Sequence, residues 1–150
     1  MAIRRSSVVG RRSSPMSYIL GLDFGGTKLA AGLVNPTSGA VVASARCPTP
    51  TDGAPASIAA MLDLARGLLV TNEGRRTKDE SLPSSVVGVG VSFGGPVEAD
   101  GRTVRRSMHV PGWDHLPLAD RLERELGVPA LVANDADAAA LAEWRFGAGR

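Results

Sequence analysis

Apolar positions along this chain come in short runs separated by breaks rich in glycine and proline. Tyr18 to Asp23 (YILGLD) is an apolar run of β character that breaks at Phe24-Gly25-Gly26-Thr27-Lys28. Leu29 to Val34 resumes it, Asn35-Pro36-Thr37-Ser38-Gly39 forms a turn cluster, and Val41 to Cys47 reads as a third strand. Strands spaced this closely predict an antiparallel three-stranded meander. Beyond the Pro48 to Pro55 loop the period changes. Ile58, Met61, Leu62, Ala65, Leu68 and Leu69 recur at helical spacing, with Ser57 placed to cap that helix and Gly74 to end it. Gly74 to Ser85 is polar and charged, the composition of a mobile surface loop.

Val86 to Val91 (VVGVGV) is almost continuously apolar, which predicts a strand buried on both faces. Ser92-Phe93-Gly94-Gly95-Pro96 reads as a tight turn, and Val97 to Arg106 as a small hairpin around Ala99-Asp100-Gly101. Leu116 to Leu126 is amphipathic, with Leu116, Leu118, Ala119, Leu122 and Leu126 facing inward, and Gly127 followed by Pro129 marks its exit. Ala130 to Ala133 is a short strand, and Asn134-Asp135 opens an Ala-rich helix to about Phe146. The order β-β-β-α-β-hairpin-α-β-α defines an α/β fold with a mixed sheet flanked by helices. The sequence shows no internal repeat.

Composition narrows the choices. The 150 residues are 43% hydrophobic and 21% charged, enough to build one core and too few for two full-sized domains. The net charge of +2 comes from the leader: Arg4, Arg5, Arg11 and Arg12 precede Pro15 with no acid among them. Without those four, the rest of the 17 basic residues are outnumbered by 15 acidic ones, so the charge marks a tail and not a nucleic-acid face. Residues 1–16 are expected to be a disordered Arg/Ser-rich leader, or the result of a misassigned start codon with Met16 the true start; the folded part is expected from residue 17. Two Trp, one Tyr and three Phe leave little for stacking on bases. One Cys excludes a disulfide framework, and Cys47, after an apolar run and before Pro48, reads as a buried inert thiol. No apolar run approaches the ~18 residues of a membrane helix. A cytoplasmic protein without membrane or nucleic-acid partners is the expectation.

Four segments can carry chemistry. In Asp23-Phe24-Gly25-Gly26-Thr27-Lys28 the paired glycines let the backbone approach an anion, while Thr27 and Lys28 add donors. Asp23 would repel a phosphate but can hold Mg²⁺ or its waters; the plain alternative is a Gly-Gly hairpin turn. Gly94-Gly95 follows a buried strand, at the carboxyl end where α/β sheets gather ligands, or it is simply a tight turn. Asn134-Asp135 offers an amide for a polyol and a carboxylate that can take a proton from a hydroxyl, or it is a helix cap. His109 can hydrogen-bond a ligand in either direction, and Trp113 reads as a core anchor. Neither a Walker A loop, a Rossmann fingerprint nor a Gly-x-Ser-x-Gly elbow is present.

Taken together and in this order, the segments resemble the ROK family of sugar kinases and related repressors. LGLDFGGTKLAAGLV resembles its phosphate-binding first hairpin, VGVGVSFGGPVEADG its G-x-G-x-P-G-P-V-D segment, and HVPGW through NDADAAA its N-x-P-G-W to N-D-A-N-A-A-A stretch. The resemblance spans roughly Tyr18 to Arg150. It implies an actin-like, hexokinase-like (ribonuclease H-like) N-terminal lobe over residues 17–150, with the C-terminal lobe absent. It also implies ATP-dependent phosphorylation of a hexose at the 6-hydroxyl, with Asp135 the general base. Asn134 and His109 would contact the sugar and Gly95 would pack against it. Asp23, Gly25, Gly26, Thr27 and Lys28 would face the phosphates and Mg²⁺. A structural zinc belongs to the absent lobe, and the full-length protein is expected to be a homodimer. Here His109 stands where the family usually has Asn, Gly94 where it has Pro, Glu98 where it has Asp, and Asp137 where it has the second Asn of N-D-A-N. Two other readings are an inactive half-protein and a sugar-sensing regulator of the same family. A regulator of this kind carries a winged helix ahead of the sugar lobe, and the 16 residues before Ser17 are too few for one.

Overall fold

The computed structural model describes residues 17–73, 86–107 and 109–149. The expected leader and the expected Gly74 to Ser85 loop, with the Gly74 helix stop, lie outside the described residues. The elements are β1 (Tyr18–Phe24), β2 (Lys28–Val34), β3 (Val41–Pro48), α1 (Ala54–Glu73), β4 (Val86–Phe93), α2 (Leu118–Leu126), β5 (Ala130–Asn134) and α3 (Asp135–Phe146). They form one five-stranded sheet in the order β3-β2-β1-β4-β5. β1–β2 and β2–β3 pair antiparallel, as the meander requires, while β1–β4 and β4–β5 pair parallel. The crossover through α1 therefore returns the chain beside β1. The carboxyl ends of β1, β4 and β5 then align, with Phe24 opposite Phe93 and Phe93 opposite Asn134.

Alternation along the strands decides what is core. Leu20, Leu22 and Phe24 of β1, Leu29, Ala31 and Leu33 of β2, and Val89, Val91 and Phe93 of β4 are buried on one face. They meet Ile58, Met61, Leu62, Ala65 and Leu68 of α1 and Leu118, Ala119 and Leu122 of α2. The opposite face is not covered in the same way: no residue of α3 is buried, and Leu131 and Leu141 are 63% and 61% exposed. β4 is internal to the sheet, yet Gly90 and Ser92 on its other face are only half-buried and line an open groove, so the expectation of burial on both faces is overturned. A continuous apolar run shows that a strand is internal to the sheet, not that both faces are packed.

Other boundaries move for local reasons. α1 begins at Ala54, not at Ser57, because Pro55, preset in φ and lacking an amide hydrogen, fits the first turn. Ser57 is inside the helix and buried. α2 starts at Leu118 behind Pro117, while Leu116 pairs with Val104 in an isolated bridge. Its exit is as expected: Gly127 has φ 72° and its N–H donates to the Glu123 carbonyl. The expected small hairpin is present in short form: Val97 bridges Val104 antiparallel, the Glu98 N–H donates to the Thr103 carbonyl at 2.8 Å and the Arg105 N–H to the Pro96 carbonyl at 2.9 Å. Cys47 is half-buried on β3 rather than buried.

Candidate active site

The candidate segments converge on the carboxyl edge of β1, β4 and β5. The first glycine turn joins β1 to β2, and the Gly25 N–H donates to the Lys28 carbonyl at 3.2 Å. A β-carbon at Gly25 would lie 2.7 Å from that carbonyl oxygen, so the turn excludes any side chain there. Thr49, just past β3, clamps the turn: its Oγ1 donates to the Gly25 carbonyl at 2.8 Å, and its N–H to the Thr27 carbonyl at 3.1 Å. The exposed side chains of Thr27 and Lys28 lie at this outer edge.

The second glycine turn is fastened to the first. The Gly94 N–H donates to the Phe24 carbonyl at 3.2 Å. A β-carbon on Gly95 would meet the Arg106 carbonyl oxygen at 2.7 Å and the Phe93 ring at 2.9 Å. Asn134 holds this turn from the other side, its Nδ2 donating to the Gly95 carbonyl at 2.9 Å. Its Oδ1 meanwhile accepts the Ala136 N–H at 3.0 Å, capping α3. The cap reading and the site reading of Asn134 thus coexist in one side chain.

Asp135 is the first residue of α3 and is exposed, with Oδ1 accepting the Ala136 N–H at 2.8 Å. Its Oδ2 lies 3.9 Å from where a Gly94 β-carbon would be, so the carboxylate stands against bare backbone. Asp23 precedes the first glycine turn and is half-buried, on the face opposite Leu22 and Phe24. It lines an apolar groove of about 740 Å³ beneath α3 together with Ser92, Ala133 and Ala138.

The His109 segment closes the site from the covered side. A β-carbon at Gly26 would lie 3.3 Å from the imidazole, so His109 sits directly over the first glycine turn. Its N–H donates to Ser107 Oγ at 3.2 Å. Trp113 is buried between Phe24, ring centroids 5.4 Å apart and nearly perpendicular, and Phe93, at 4.8 Å. These aromatics are the last residues of β1 and β4, so the core anchor also sets where His109 stands. The Pro111 carbonyl accepts the Ala54 N–H at 2.9 Å, joining the segment to the start of α1.

The segments that carry the candidate site residues therefore meet along one edge: the first glycine turn touches the second and His109, and the second touches Asn134 and Asp135. Sequence reasoning missed Thr49 and Ser107. A hydroxyl that reaches back 24 residues leaves no local pattern, and Thr49 lay in a segment that reads simply as loop.

A meander and two parallel pairs in one sheet, with two glycine turns and an Asn-Asp helix start at its carboxyl edge, define an actin-like, hexokinase-like N-terminal lobe. The ROK family pattern matches residues 19–150, and the chain belongs to the ROK family. It is 34% identical over 135 residues to a glucokinase of Streptomyces coelicolor, covering 90% of this chain and 38% of that protein. Its fold is similar to that of a ROK family glucokinase from Streptomyces griseus in complex with glucose and AMPPNP (TM-score 0.75, 33% identity, 89% of this chain and 38% of that one). It is likewise similar to an inorganic polyphosphate/ATP-glucomannokinase from Arthrobacter (TM-score 0.68, 34% identity, 89% and 50%). The chain thus spans well under half the length of the glucokinases it matches. No helix among the described residues is long and apolar enough to cross a membrane.

Proposed function

We propose that this chain is the sugar- and phosphate-binding lobe of a hexose kinase, and that the complete protein transfers the γ-phosphoryl group of ATP to the 6-hydroxyl of glucose or a related hexose. The observation that carries the reading is the Asp135 carboxylate beside Gly94, on the same edge as the glycine turn at Gly25-Gly26. The kinship with glucokinases supports it. Phosphoryl transfer asks a protein mainly for positioning and charge stabilisation. Asp135 accepts the proton of the hydroxyl as its oxygen attacks phosphorus. The rigid Gly94-Gly95 turn, held by Asn134, gives the sugar ring a surface without side chains. His109 offers one ring nitrogen to a sugar hydroxyl. Backbone amides of the first turn, the Thr27 hydroxyl and the Lys28 ammonium receive the phosphates.

The carboxylate of Asp23 suits Mg²⁺, which binds through one or two carboxylates and fills its remaining positions with phosphate oxygens and water. When bound, the ion neutralises charge on the transferring phosphate. Asp23 lies half-buried one residue before the turn, beside Ser92.

The test is formation of sugar 6-phosphate by the full-length protein, with ATP and polyphosphate compared as donors. Asp135→Asn should lower kcat by about 10²–10⁴-fold, the usual worth of a general base, with little change in sugar binding. Near-normal kcat in that variant would remove Asp135 from its role, and absence of product from the unmodified protein with either donor would remove the kinase reading itself.

A further inference from the structure

One buried polar group has no role in the site described so far. Ser57, in α1, is 1% exposed, and its Oγ has no hydrogen-bond partner among the described residues. Buried hydroxyls are ordinarily satisfied, and a helical serine usually turns to the carbonyl four residues back. Here that bond is not made: the Gly53 carbonyl accepts the Ser57 N–H at 3.1 Å, while the Ser57 Oγ has no partner among the described residues. Ser57 instead lines a cavity of about 10 Å³ directly beneath the first glycine turn. The same cavity is lined by Gly25 and Gly26, by Thr49, by Gly94, and by Ser107 and His109.

The volume suits a water, and three hydroxyls stand in a wall otherwise built of Phe24, Leu29, Phe93, Val110 and Trp113 with the backbone of the two glycine turns. A space of about 10–15 Å³ is the least that holds a water, and a buried water needs two to four polar partners. The three hydroxyls have complementary capacity to spare. Thr49 Oγ1 gives its proton to the Gly25 carbonyl and keeps lone pairs to accept with. Ser107 Oγ accepts the N–H groups of His109 and Val110, both at 3.2 Å, and keeps its proton to give. Ser57 Oγ has both capacities free. One water can therefore donate toward Thr49, accept from Ser107 and complete Ser57.

We propose that this cavity is a binding site for a single ordered water anchored by Ser57, joining the phosphate-side turn through Thr49 to the His109 segment through Ser107. Ser57 is then a positioning residue: it touches neither nucleotide nor sugar, but fixes two of the loops that would. The water site itself stands without the kinase reading; only its consequence for catalysis rests on it.

A high-resolution crystal structure of the unmodified full-length protein is the direct test. One density peak within hydrogen-bond distance of Ser57 Oγ and of at least one of the Thr49 and Ser107 hydroxyls is expected. An empty cavity, or Ser57 Oγ turned onto its own helix carbonyl, overturns the proposal. In solution, Ser57→Ala should shift the amide resonances of Gly25 and Gly26 together with those of His109 and Val110, while Ser57→Cys, which keeps a weak donor and acceptor, shifts them less. Changes confined to α1 neighbours would mean that Ser57 only packs. In the full-length protein, once product formation by the unmodified form is established, Ser57→Ala should raise KM for both donor and sugar more than it lowers kcat. Unchanged KM values in an active enzyme would refute the coupling and leave the kinase reading intact.

Discussion

The two faces of the sheet are built on opposite terms. On one, Leu20, Leu22, Phe24, Leu29, Val89, Val91 and Phe93 are buried under α1 and α2. On the other, Gly32, Gly21 and Gly90 stand in register across β2, β1 and β4, and Leu131 of β5 continues the row, 63% exposed. α3 passes over this floor without burying a residue and leaves the groove of about 740 Å³ open. Strand alternation places the two regimes one residue apart: Leu22 and Phe24 belong to the packed face, Asp23 to the open one. The packed face maintains the fold. The open face and the carboxyl edge carry groups that the packing does not need. Neighbouring residues should therefore fail in different ways.

The largest effect on stability is expected on the packed face. Leu22→Ala removes a side chain that is 2% exposed, and should cost about 2–5 kcal/mol through lost burial and a cavity in the core. Urea unfolding of the chain would show it as a lower midpoint with the slope retained. A loss well under 1 kcal/mol would mean that the two faces differ less than their burial indicates. Asp23→Asn, one residue on, should leave the unfolding midpoint almost unchanged, since its side chain lies in the open groove. In the full-length protein the same change should lower kcat with ATP and Mg²⁺ by roughly 10–10²-fold, as expected for loss of a group that helps hold the ion at a developing charge. An Asp23→Asn variant that unfolds like Leu22→Ala would break the comparison.

How much of this was legible in the sequence follows from the range of each interaction. The meander, the two glycine turns and the exit of α2 are set by neighbours a few residues apart, and they came out where the pattern put them. The start of α1 was misplaced because Ser57 offers a cap signal while Pro55 offers the stronger one. The open face was not legible at all. VVGVGV looks the same whether one face or both are covered, and only the stand-off of α3 decides it. At the site, each candidate residue was visible as a local motif. Their fastening was not, because Thr49 to Gly25 and Asn134 to Gly95 span 24 and 39 residues.

A smaller effect is expected at the rim of the packed face. Arg102 donates from Nε to Asp120 Oδ1 at 2.9 Å and from its terminal nitrogen to Glu123 Oε2 at 2.7 Å, tying the short hairpin to α2. Glu123 Oε1 also accepts the Ala130 N–H at 2.9 Å. The hydrogen bond from Arg102, with the Ala130 N–H second, holds the Glu123 carboxyl below its ordinary value of 4.5. A carboxyl lowered in the fold stabilises it above its unfolded value, and that contribution fades as pH falls through the folded one. Glu123→Gln keeps an acceptor for Ala130 and removes the charge. Its Tm should lie slightly below that of the parent at neutral pH, and the gap should close as pH drops below 4.5. A gap that stays constant with pH would assign the effect to packing instead of charge. Arg102 and Glu123 are only half-buried, and screening by solvent keeps the effect small.

The smallest effect is expected from the open face itself. Leu141 lies on α3, lines the groove and is 61% exposed, so in this chain it surrenders little apolar surface to the fold. Glutamine has nearly the same helix propensity as leucine, so Leu141→Gln tests packing alone. The chain's unfolding free energy should change by no more than about 0.5 kcal/mol, the usual range for surface substitutions. A cost of 2 kcal/mol or more would be the signature of a buried leucine. It would mean that α3 closes onto the glycine floor in solution, and the contrast between the two faces would then lie in the size of the side chains rather than in whether they are covered. The magnitude of this one change therefore separates an open sheet face from one that is closed but thinly packed.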